Sequence, residues 1–335
     1  MNKILTIVSL IFIAAAGFTS DCRAKPKHQF KIASLAPEGS VWVNVFEEFA
    51  AEVAEKSAGQ IVFRHYPGGV MGDDRAMYRK MRIGQLQGGG FTVTGIAEIV
   101  PDFRVMSIPF MFDSYEEIDA AVPRLIPLFT KRFADQGLAL IALTEVGFIY
   151  TFATQPRVTI AELRQGKTWA PSNDPLTDTF LQSLGISPIP LSIPDVLSSL
   201  QTGLVDTVFN SLYGSIVLQW FTKASYVTDA PYGYAYGAFL LDGRAFNKLS
   251  PEQKTVVEEA AARHFGELLV KTRQSNRESR DVLAQNGVTF VPTTPETLTT
   301  LQTHRDEMLT QLIGSAFSKE AYDTLIDALN AHRTP

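Results

Sequence analysis

Apolar and polar positions alternate along the chain with two different periods, and each period predicts a type of element. Phe30 to Ser34 and Ile61 to Tyr66 are short apolar runs of the kind that form strands. Between them, Val41 to Ala58 carries apolar side chains four residues apart, which predicts an amphipathic helix ended by Gly59. Asp73 is a suitable cap for a further helix that runs to Ile83.

The alternation continues through the rest of the chain. Further strands are predicted at Phe91 to Thr94, Leu138 to Ala153, Pro188 to Leu191, Val205 to Phe209 and Ala235 to Leu241. Further helices are predicted at Pro123 to Gln136, Pro175 to Leu184, Asp195 to Thr202 and from Pro251 toward Asn286. Strands that alternate with helices are typical of parallel sheets wrapped by helices, so the predicted fold class is α/β.

Two of these elements are long enough to join two lobes. The extended run from Leu138 to Ala153, with Gly147 as a bend, is long for a strand, and the helix from Pro251 is long enough to span both lobes. A chain of 335 residues is large for one hydrophobic core and long enough to form two. We predict one lobe from 28–146 plus 236–275 and a second from 147–235 plus 276–335, with a ligand cleft between them.

The N-terminal segment predicts export. Lys3 gives a positive start, residues 4–17 form an apolar run, and Ala24 ends the segment with a small residue where a signal peptidase cuts. The run is short for a membrane span. Asp21 disrupts the pattern that lipid attachment at Cys22 requires. We therefore expect a cleaved signal peptide at 1–24 and a periplasmic mature protein.

Composition excludes several classes of function. A formal net charge of −5 gives no basic surface for nucleic acid. The single cysteine, Cys22, lies in the predicted signal peptide, so no disulfide or thiol nucleophile is expected. The five histidines show no metal-ligand spacing, which argues against a zinc site, and no cofactor is predicted. No Gly-x-Ser-x-Gly motif is present, so an enzyme is disfavoured, although a triad formed in space stays open.

A set of collinear motifs covers most of the predicted mature chain. They are Tyr66 to Arg75, Gly84, Pro109-Phe110, Leu163 to Pro171, Ser187 to Pro190 and Leu200 to Asp206. In this order and spacing they resemble the DctP-like periplasmic solute-binding proteins of tripartite ATP-independent periplasmic (TRAP) transporters. The resemblance implies a two-lobed clamshell, similar to type II binding proteins, whose long helix bridges both lobes. It also implies a small organic ligand and an ion-driven membrane permease as partners.

The chain departs from that family at the expected ligand clamp. The family usually carries an arginine where this chain has Trp169, and many members place a second arginine where Ile149 follows Gly147-Phe148. A buried carboxylate without a cationic partner costs several kcal/mol. We therefore expect a small apolar or aromatic ligand rather than a dicarboxylate or a sialic acid. A carboxylate bound through another cation, such as Arg75 or Lys167, is the alternative.

The family pattern and the apolar composition also give candidate residues for the cleft. They are Phe91, Thr92, Val93, Phe148, Tyr150, Trp169, Ser172, Asn173, Ile193, Phe209, Asn210, Tyr213 and Tyr236. Trp169 is the expected aromatic platform, against the alternative of a core tryptophan, and Asn210 is the expected polar anchor because a buried amide needs partners. Core and cleft stay open for Phe91, Ile193 and Phe209. Such a lining suits a ring-shaped ligand with one or two polar groups.

Three further interpretations stay open. Tyr226, Tyr232, Tyr234 and Tyr236 lie on a stretch that alternates at period two from Tyr232, which indicates strand packing first. Asp74 is a minor candidate for a ligand contact. The protein as a carrier that passes an apolar molecule to a soluble partner, such as a helical-repeat protein of the periplasm, competes with delivery to a permease.

Overall fold

A computed structural model describes residues 26–334. The predicted signal peptide and Cys22 lie outside the described residues. Within them, no helix combines the length and the apolar character that crossing a membrane requires. The strands are β1 His28–Ser34, β2 Ile61–Tyr66, β3 Gly88–Thr92, β4 Leu138–Ala153, β5 Trp169–Pro171, β6 Ile189–Leu191, β7 Thr207–Asn210, β8 Tyr226–Asp242 and β9 Thr289–Val291.

Twelve α-helices are present in the described part of the chain. They are α1 Val41–Lys56, α2 Asp74–Arg82, α3 Val93–Ile96, α4 Tyr115–Asp135, α5 Ile160–Leu163, α6 Pro175–Ser183, α7 Val196–Thr202, α8 Leu212–Val217, α9 Gly243–Phe246, α10 Pro251–Gln285, α11 Pro295–Leu312 and α12 Lys319–Arg333. Short 3₁₀ helices lie at Pro101–Ser107, Ile193–Asp195 and Trp220–Thr222.

Local capping explains where the predicted helices begin. The Asp73 side chain accepts a hydrogen bond from the Ala76 N–H at 2.8 Å and starts α2, as the sequence predicted. Ser250 and Gln253 form a reciprocal capping box at the start of α10, where Pro251 occupies the first turn. These contacts satisfy N–H groups that the first turn of a helix leaves without partners.

Several predicted boundaries differ from those in the structure. The strand predicted at Phe91 to Thr94 ends at Thr92, because the Thr92 hydroxyl accepts from the Gly95 N–H at 3.2 Å and caps α3. The helix predicted from Pro123 begins at Tyr115 instead, after Ser114 caps it. Pro123 and Pro127 therefore lie inside α4, where the buried face of the helix holds it together despite the missing N–H groups.

Elements without a clear sequence pattern were missed. Helices α11 and α12 were not predicted, and β8 begins at Tyr226, well before the predicted Ala235. Strand β8 extends that far because it pairs with β4 from Ala153↔Tyr226 to Leu138↔Asp242, and with β9 at its first residues. Pairing between distant segments leaves little local signal.

The main sheet contains seven strands and is mixed, rather than parallel as predicted. Its order is β2-β1-β3-β8-β4-β7, with β9 beside β8, and β5 and β6 form a separate parallel pair. β4 and β8 pair antiparallel along their whole lengths, from Leu138↔Asp242 to Ala153↔Tyr226. β3 joins only the end of β8, and β7 joins only the end of β4, so the short strands gather at opposite ends of the two long ones.

The long helix α10 connects the two ends of this sheet. It contacts α1 beside β1 and β2, the strand β4 at the centre, and α8 after β7. This is the two-lobed arrangement with a bridging helix that the sequence predicted. The exact lobe boundaries at 146/147 and 235/236 stay a prediction, and the cavity described next lies where β4 and β8 pass between the two ends.

Candidate ligand-binding cavity

A cavity of about 250 Å³ lies at the middle of the long strands. Its wall combines the ends of β1, β3, β5 and β7 with the central parts of β4 and β8. Most of the lining side chains are apolar or aromatic. A cavity of about 150 Å³ with such a lining holds benzene, so this one has room for a ligand of one or two rings.

All three tryptophans of the sequence line this cavity. Trp169 on β5 is 3% exposed, and its ring meets the edge of the Trp220 ring at a centroid distance of 5.3 Å. The Trp169 Nε1–H donates to the Leu191 carbonyl at 3.0 Å, and the Trp42 Nε1–H donates to the Glu145 carbonyl at 2.8 Å. Trp169 is therefore both a core residue and a wall of the cavity, and its polar atom is already bonded within the protein.

Asn210 ends β7 with its amide in the cavity wall. It is 7% exposed, and its Oδ1 accepts from the Ser211 N–H at 2.8 Å. A Cβ atom at Gly214 would lie only 2.2 Å from this oxygen, so the glycine is what makes room for the amide. The Nδ2 group makes no hydrogen bond within residues 26–334, which leaves a donor at the cavity.

One polar pair lies on the opposite wall. The Ser34 hydroxyl and His65 Nε2 are 2.9 Å apart, and the Phe46 ring packs 4.5 Å from the imidazole. Burial lowers the pKa of His65 to about 4, so the ring is neutral near pH 7. His65 therefore offers hydrogen bonding to a ligand but no positive charge.

Thr92 lines the cavity in front of a buried carboxylate. Its N–H and hydroxyl donate to the two oxygens of Asp74 at 3.0 and 2.9 Å. Burial raises the pKa of Asp74 to about 6, while the hydrogen bonds from Thr92 oppose that rise. Asp74 is not in the cavity wall, so the structure places this minor candidate behind Thr92 rather than against a ligand.

Asp174 is the one carboxylate among the described lining residues. It is 3% exposed, and its Oδ2 accepts from the Thr177 hydroxyl at 2.5 Å at the start of α6. Its Oδ1 lies 3.9 Å from Arg104 Nε, close enough for charge pairing and too far for a hydrogen bond. Tyr232 and Ser107 line the same region, and the hydroxyl groups of both are buried without a hydrogen-bond partner in the described chain.

Within residues 26–334, no lysine or arginine belongs to the cavity wall. Arg75 pairs with Glu98 at 2.7 Å, and Lys167 donates to the Gly203 carbonyl at 2.9 Å. Both candidates for a substitute cation are therefore engaged elsewhere. Arg104 does not line the cavity but pairs with the lining residue Asp174.

The structure brings eight of the predicted site residues into the cavity wall. They are Phe91, Thr92, Val93, Trp169, Ile193, Phe209, Asn210 and Tyr236. Five others do not line it, namely Phe148, Tyr150, Ser172, Asn173 and Tyr213. Phe91, Ile193 and Phe209, which the sequence left open between core and cleft, lie at the boundary of the two.

Phe148 and Tyr150 do not line the cavity, because β4 is irregular. A register shift between Glu145 and Gly147 changes which residues face the cavity, and Ile149 lines it instead. The Phe148 ring packs on the other side of the strand, 4.9 Å from the Tyr115 ring. Simple alternation along a strand does not reveal such a shift.

Ser172 and Asn173 do not line the cavity, whereas Pro171 and Asp174 on either side of them do. Asn173 adopts a left-handed backbone with φ 61°, which turns it outward and brings Asp174 into the wall. An aspartate directly before Pro175 was the available signal, since it marks a helix start. Tyr213 serves the structure elsewhere, because its hydroxyl accepts from the Val41 N–H at 2.9 Å.

Several lining residues were not among the sequence candidates. They include Ser34, Trp42, His65, Ser107, Asp174, Thr177, Trp220, Tyr232 and Tyr234. For Tyr232 and Tyr234 the period-two alternation with Tyr236 is a signal of a strand, which by itself indicates packing as readily as a cavity wall. Nothing in the sequence distinguished Trp42 and Trp220 from ordinary core aromatics.

Comparisons with known proteins were made on the sequence and on the fold. The sequence model of the family described as bacterial extracellular solute-binding protein, family 7 (DctP), matches residues 32–314. The Salmonella typhimurium protein YiiZ, described as uncharacterized, is 26% identical over 212 residues, which cover 62% of this chain and 64% of YiiZ. The match thus spans slightly less than two thirds of that relative's length.

Two solved structures show the same fold. The sugar acid binding protein DctPAm from Advenella mimigardefordensis, in complex with galactonate, superposes with a TM-score of 0.86 at 21% identity, covering 92% of this chain and 99% of that chain. DctP7 from Bordetella pertussis, an extracytoplasmic solute receptor binding pyroglutamic acid, gives 0.83 at 22% identity, covering 90% and 99%. Both of these relatives are described with a carboxylic acid as ligand.

Proposed function

Because the chain belongs to family 7 of the bacterial extracellular solute-binding proteins, we propose that it is the periplasmic receptor of a TRAP transporter for an uncharged, largely apolar or aromatic molecule. The ligand occupies the cavity between the lobes, and the closed receptor delivers it to the membrane permease. We expect the predicted signal peptide to direct this receptor to the periplasm. Its role is binding rather than catalysis, in keeping with a family of solute-binding proteins.

One observation carries the proposal: the cavity wall contains aromatic rings and no lysine or arginine among the described residues. A carboxylate enclosed there would lose its hydration without gaining a partner charge, at a cost of several kcal/mol. Apolar surface moved from water into the same cavity contributes about 25 cal/mol per Å². The wall therefore favours a neutral ring over the acids that the compared receptors hold.

Both lobes contribute to the wall, which supports closure on the ligand. Phe91 and Thr92 come from the predicted first lobe, and Trp169 and Phe209 come from the predicted second lobe. A ligand that contacts both sets gains contacts only when the lobes approach each other, so binding shifts the equilibrium toward the closed form. The lobes are predicted to meet at residues 146/147 and 235/236, in the middle of β4 and β8.

The proposal is tested by identifying what the protein carries. The chain is expressed with its N-terminal segment and recovered from the periplasm, and its contents are extracted and identified by mass spectrometry. We expect a neutral apolar or aromatic molecule near one per chain, and a fall to trace amounts in a Trp169→Arg variant recovered in the same way. Recovery of a polar organic acid at one per chain would contradict the proposal.

Delivery to a permease needs its own measurement. Uptake of the identified ligand is followed in membrane vesicles that contain the candidate permease, with and without the purified receptor. We expect uptake to depend on the receptor and on an ion gradient. Transfer of the ligand to a soluble partner without the permease would favour a carrier instead.

A further inference from the structure

One corner of the cavity collects polar groups that the protein leaves partly unbonded. We call Ser107, Asp174 and Tyr232 the polar corner. The Phe110 N–H donates to the Tyr232 carbonyl at 2.9 Å, which holds the 107–110 segment against β8. The Tyr232 ring lies 5.5 Å from the Phe180 ring of α6, the helix that Asp174 caps. Three elements therefore meet at this corner.

Burying the two hydroxyls of the polar corner without hydrogen bonds costs free energy. Ser107 Oγ and Tyr232 Oη are buried without a hydrogen bond of good geometry in the described chain, and the group beside Tyr232 Oη is the Thr177 hydroxyl, which already donates to Asp174. Buried polar atoms are usually bonded, and an atom left unbonded carries a desolvation penalty. A hydroxyl both donates and accepts, so each of these groups is complete only when something in the cavity bonds to it.

Asp174 adds an acceptor to the polar corner. Its Oδ2 already receives the N–H and the hydroxyl of Thr177, at 3.3 and 2.5 Å. Its Oδ1 makes no hydrogen bond within residues 26–334, since Arg104 Nε stays 3.9 Å away. The corner therefore offers one carboxylate oxygen that accepts and two hydroxyls that donate or accept.

Arg104 decides the charge that a ligand group can carry there. The buried Arg104 guanidinium donates to the Ala97 and Ala316 carbonyls and pairs with Asp174, so the positive and negative charges already balance. A third buried charge of either sign would have no compensating partner. An uncharged group that donates one hydrogen bond and accepts another meets no such cost.

We propose that the polar corner binds a hydroxyl group of the ligand, so that the transported molecule is an apolar or aromatic alcohol rather than an acid, an amine or a pure hydrocarbon. The ligand hydroxyl donates to Asp174 Oδ1 and accepts from Tyr232 or Ser107. The rings of Trp169, Trp220 and Phe209 contact the apolar body. This inference rests on the proposed function and specifies the ligand class of the same site.

Four bicyclic probes that differ in one substituent test the inference. They are 2-naphthylmethanol, 2-methylnaphthalene, 2-naphthoate and 2-naphthylmethylammonium, titrated into the ligand-stripped protein by calorimetry. We expect the alcohol to bind about tenfold more tightly than 2-methylnaphthalene, the difference that one net hydrogen bond gives. Both ions are expected to bind more weakly than the alcohol.

Two single-atom variants locate the effect. Tyr232→Phe and Ser107→Ala each remove one oxygen, and we expect at least one of them to weaken the alcohol severalfold without changing the affinity for 2-methylnaphthalene. Tyr226→Phe is the matched control, because Tyr226 lies on the same strand and does not line the cavity. A purely structural role would lower the unfolding midpoint and weaken both probes alike, whereas loss of an unbonded hydroxyl leaves the midpoint unchanged or higher.

Asp174→Asn removes the carboxylate and keeps a helix-capping side chain. We expect a loss of alcohol affinity of tenfold or more, with Asp73→Asn as the control for a capping aspartate outside the cavity. If Asp174→Asn does not fold, because Arg104 loses its counter-ion, the Tyr232 and Ser107 variants decide the question.

The outcomes separate this inference from the proposed function. Equal binding of the alcohol and 2-methylnaphthalene overturns the hydroxyl assignment and leaves an apolar receptor. Tightest binding of 2-naphthylmethylammonium overturns it as well, because Asp174 then acts as an unpaired charge. Tightest binding of 2-naphthoate overturns both the hydroxyl assignment and the proposed function, and makes Arg104 the substitute cation. Binding of none of the four probes contradicts both of them as well.

Discussion

Two buried regions meet at the middle of β4, the ligand cavity on one side and a charged network around Glu145 on the other. In the network, the Arg273 guanidinium contacts Glu145 at 3.0 Å and Asp119 at 2.7 Å, and the Tyr234 hydroxyl donates to Glu145 at 3.0 Å. Glu145 is fully buried, and every polar atom of its side chain has a partner. The network joins β4 and β8 to α4 and to the bridging helix α10.

Several polar side chains of the cavity wall differ from those of the network, because they lack hydrogen-bond partners. Ser107, Tyr232 and His65 each keep a buried atom without a partner in the described chain, and the wall there is mostly aromatic. A buried charge that is paired with other groups of the protein holds those groups in a fixed geometry. Neutral polar groups without hydrogen-bond partners contribute little to the stability of the fold and are available to a ligand. The difference indicates which side of β4 is architectural and which side is for binding.

Introducing a charge into the cavity is the largest test of this difference. Trp169→Arg loses a buried ring and gains a cation in a wall whose one described carboxylate, Asp174, is already paired with Arg104, so we expect the free energy of unfolding to fall by about 3 to 5 kcal/mol. Part of the loss should return when 2-naphthoate is added, because a bound acid supplies the missing charge. Urea unfolding with and without the acid measures both effects, and the wild type serves as the control that the acid should not stabilise.

Failure of the acid to stabilise Trp169→Arg would show that this position is not where the family clamps a carboxylate. Stabilisation of the wild type to the same extent would show that a cation such as Arg104 already reaches the cavity.

Removing a charge from the network is the reciprocal test. Arg273→Ala leaves Glu145 and Asp119 without their counter-ion, and we expect the free energy of unfolding to fall by about 2 to 4 kcal/mol. Arg280→Ala, on the same helix, breaks a more exposed pair with Asp229 and should cost about 1 kcal/mol or less. Equal losses in the two variants would mean that burial around Glu145 does not set the strength of the network.

A third test uses the pH dependence of the cavity wall. His65 has a pKa of about 4 in the folded chain and an ordinary value of 6.5, so between these pH values the unfolded chain holds more protons. The contribution of neutral His65 to stability is therefore present above pH 6.5 and lost as the pH falls toward 4, by up to about 3 kcal/mol.

The titration of Asp74 changes the stability with the opposite sign, over an overlapping range of pH. Its pKa is raised from 3.8 to about 6, so the folded chain holds the extra proton and stability falls as the pH rises from 4 to 6. The contribution of His65 is therefore isolated by comparing the wild type with His65→Gln at pH 4.5 and 7.5. We expect the variant to lose less stability at the lower pH; an identical pH dependence of the two proteins would place the titration elsewhere.

The smallest test concerns a single hydroxyl. Ser107→Ala removes a buried oxygen without a partner, and we expect the free energy of unfolding of the ligand-free protein to rise by about 0.5 to 1 kcal/mol. Thr272→Val is the control, because Thr272 Oγ1 is also buried without a partner in the described chain, lies outside the cavity, and is replaced in valine by a methyl group of similar size. A stability loss in Ser107→Ala alone would indicate that the hydroxyl is bonded in the empty protein.

The sequence by itself determined the family, the two-lobed α/β class, most of the described strands and half of the described α-helices, because local periodicity and capping residues such as Asp73 and Ser250 act over a few residues. It also placed Trp169, Phe209 and Asn210 at strand ends, where the structure has them in the cavity wall. The family match to residues 32–314 confirms the family that the collinear motifs indicated, and the role of each site residue stays a prediction.

Only the tertiary structure decided which polar groups face the cavity. Because of the register shift near Gly147, Ile149 lines the cavity rather than Phe148. Because of the left-handed turn at Asn173, Asp174 lines it rather than Asn173. The pairing of Asp174 with Arg104 joins residues far apart in the chain. Such contacts arise when distant segments pack together, so they cannot be predicted from the period of a strand or the composition of a motif.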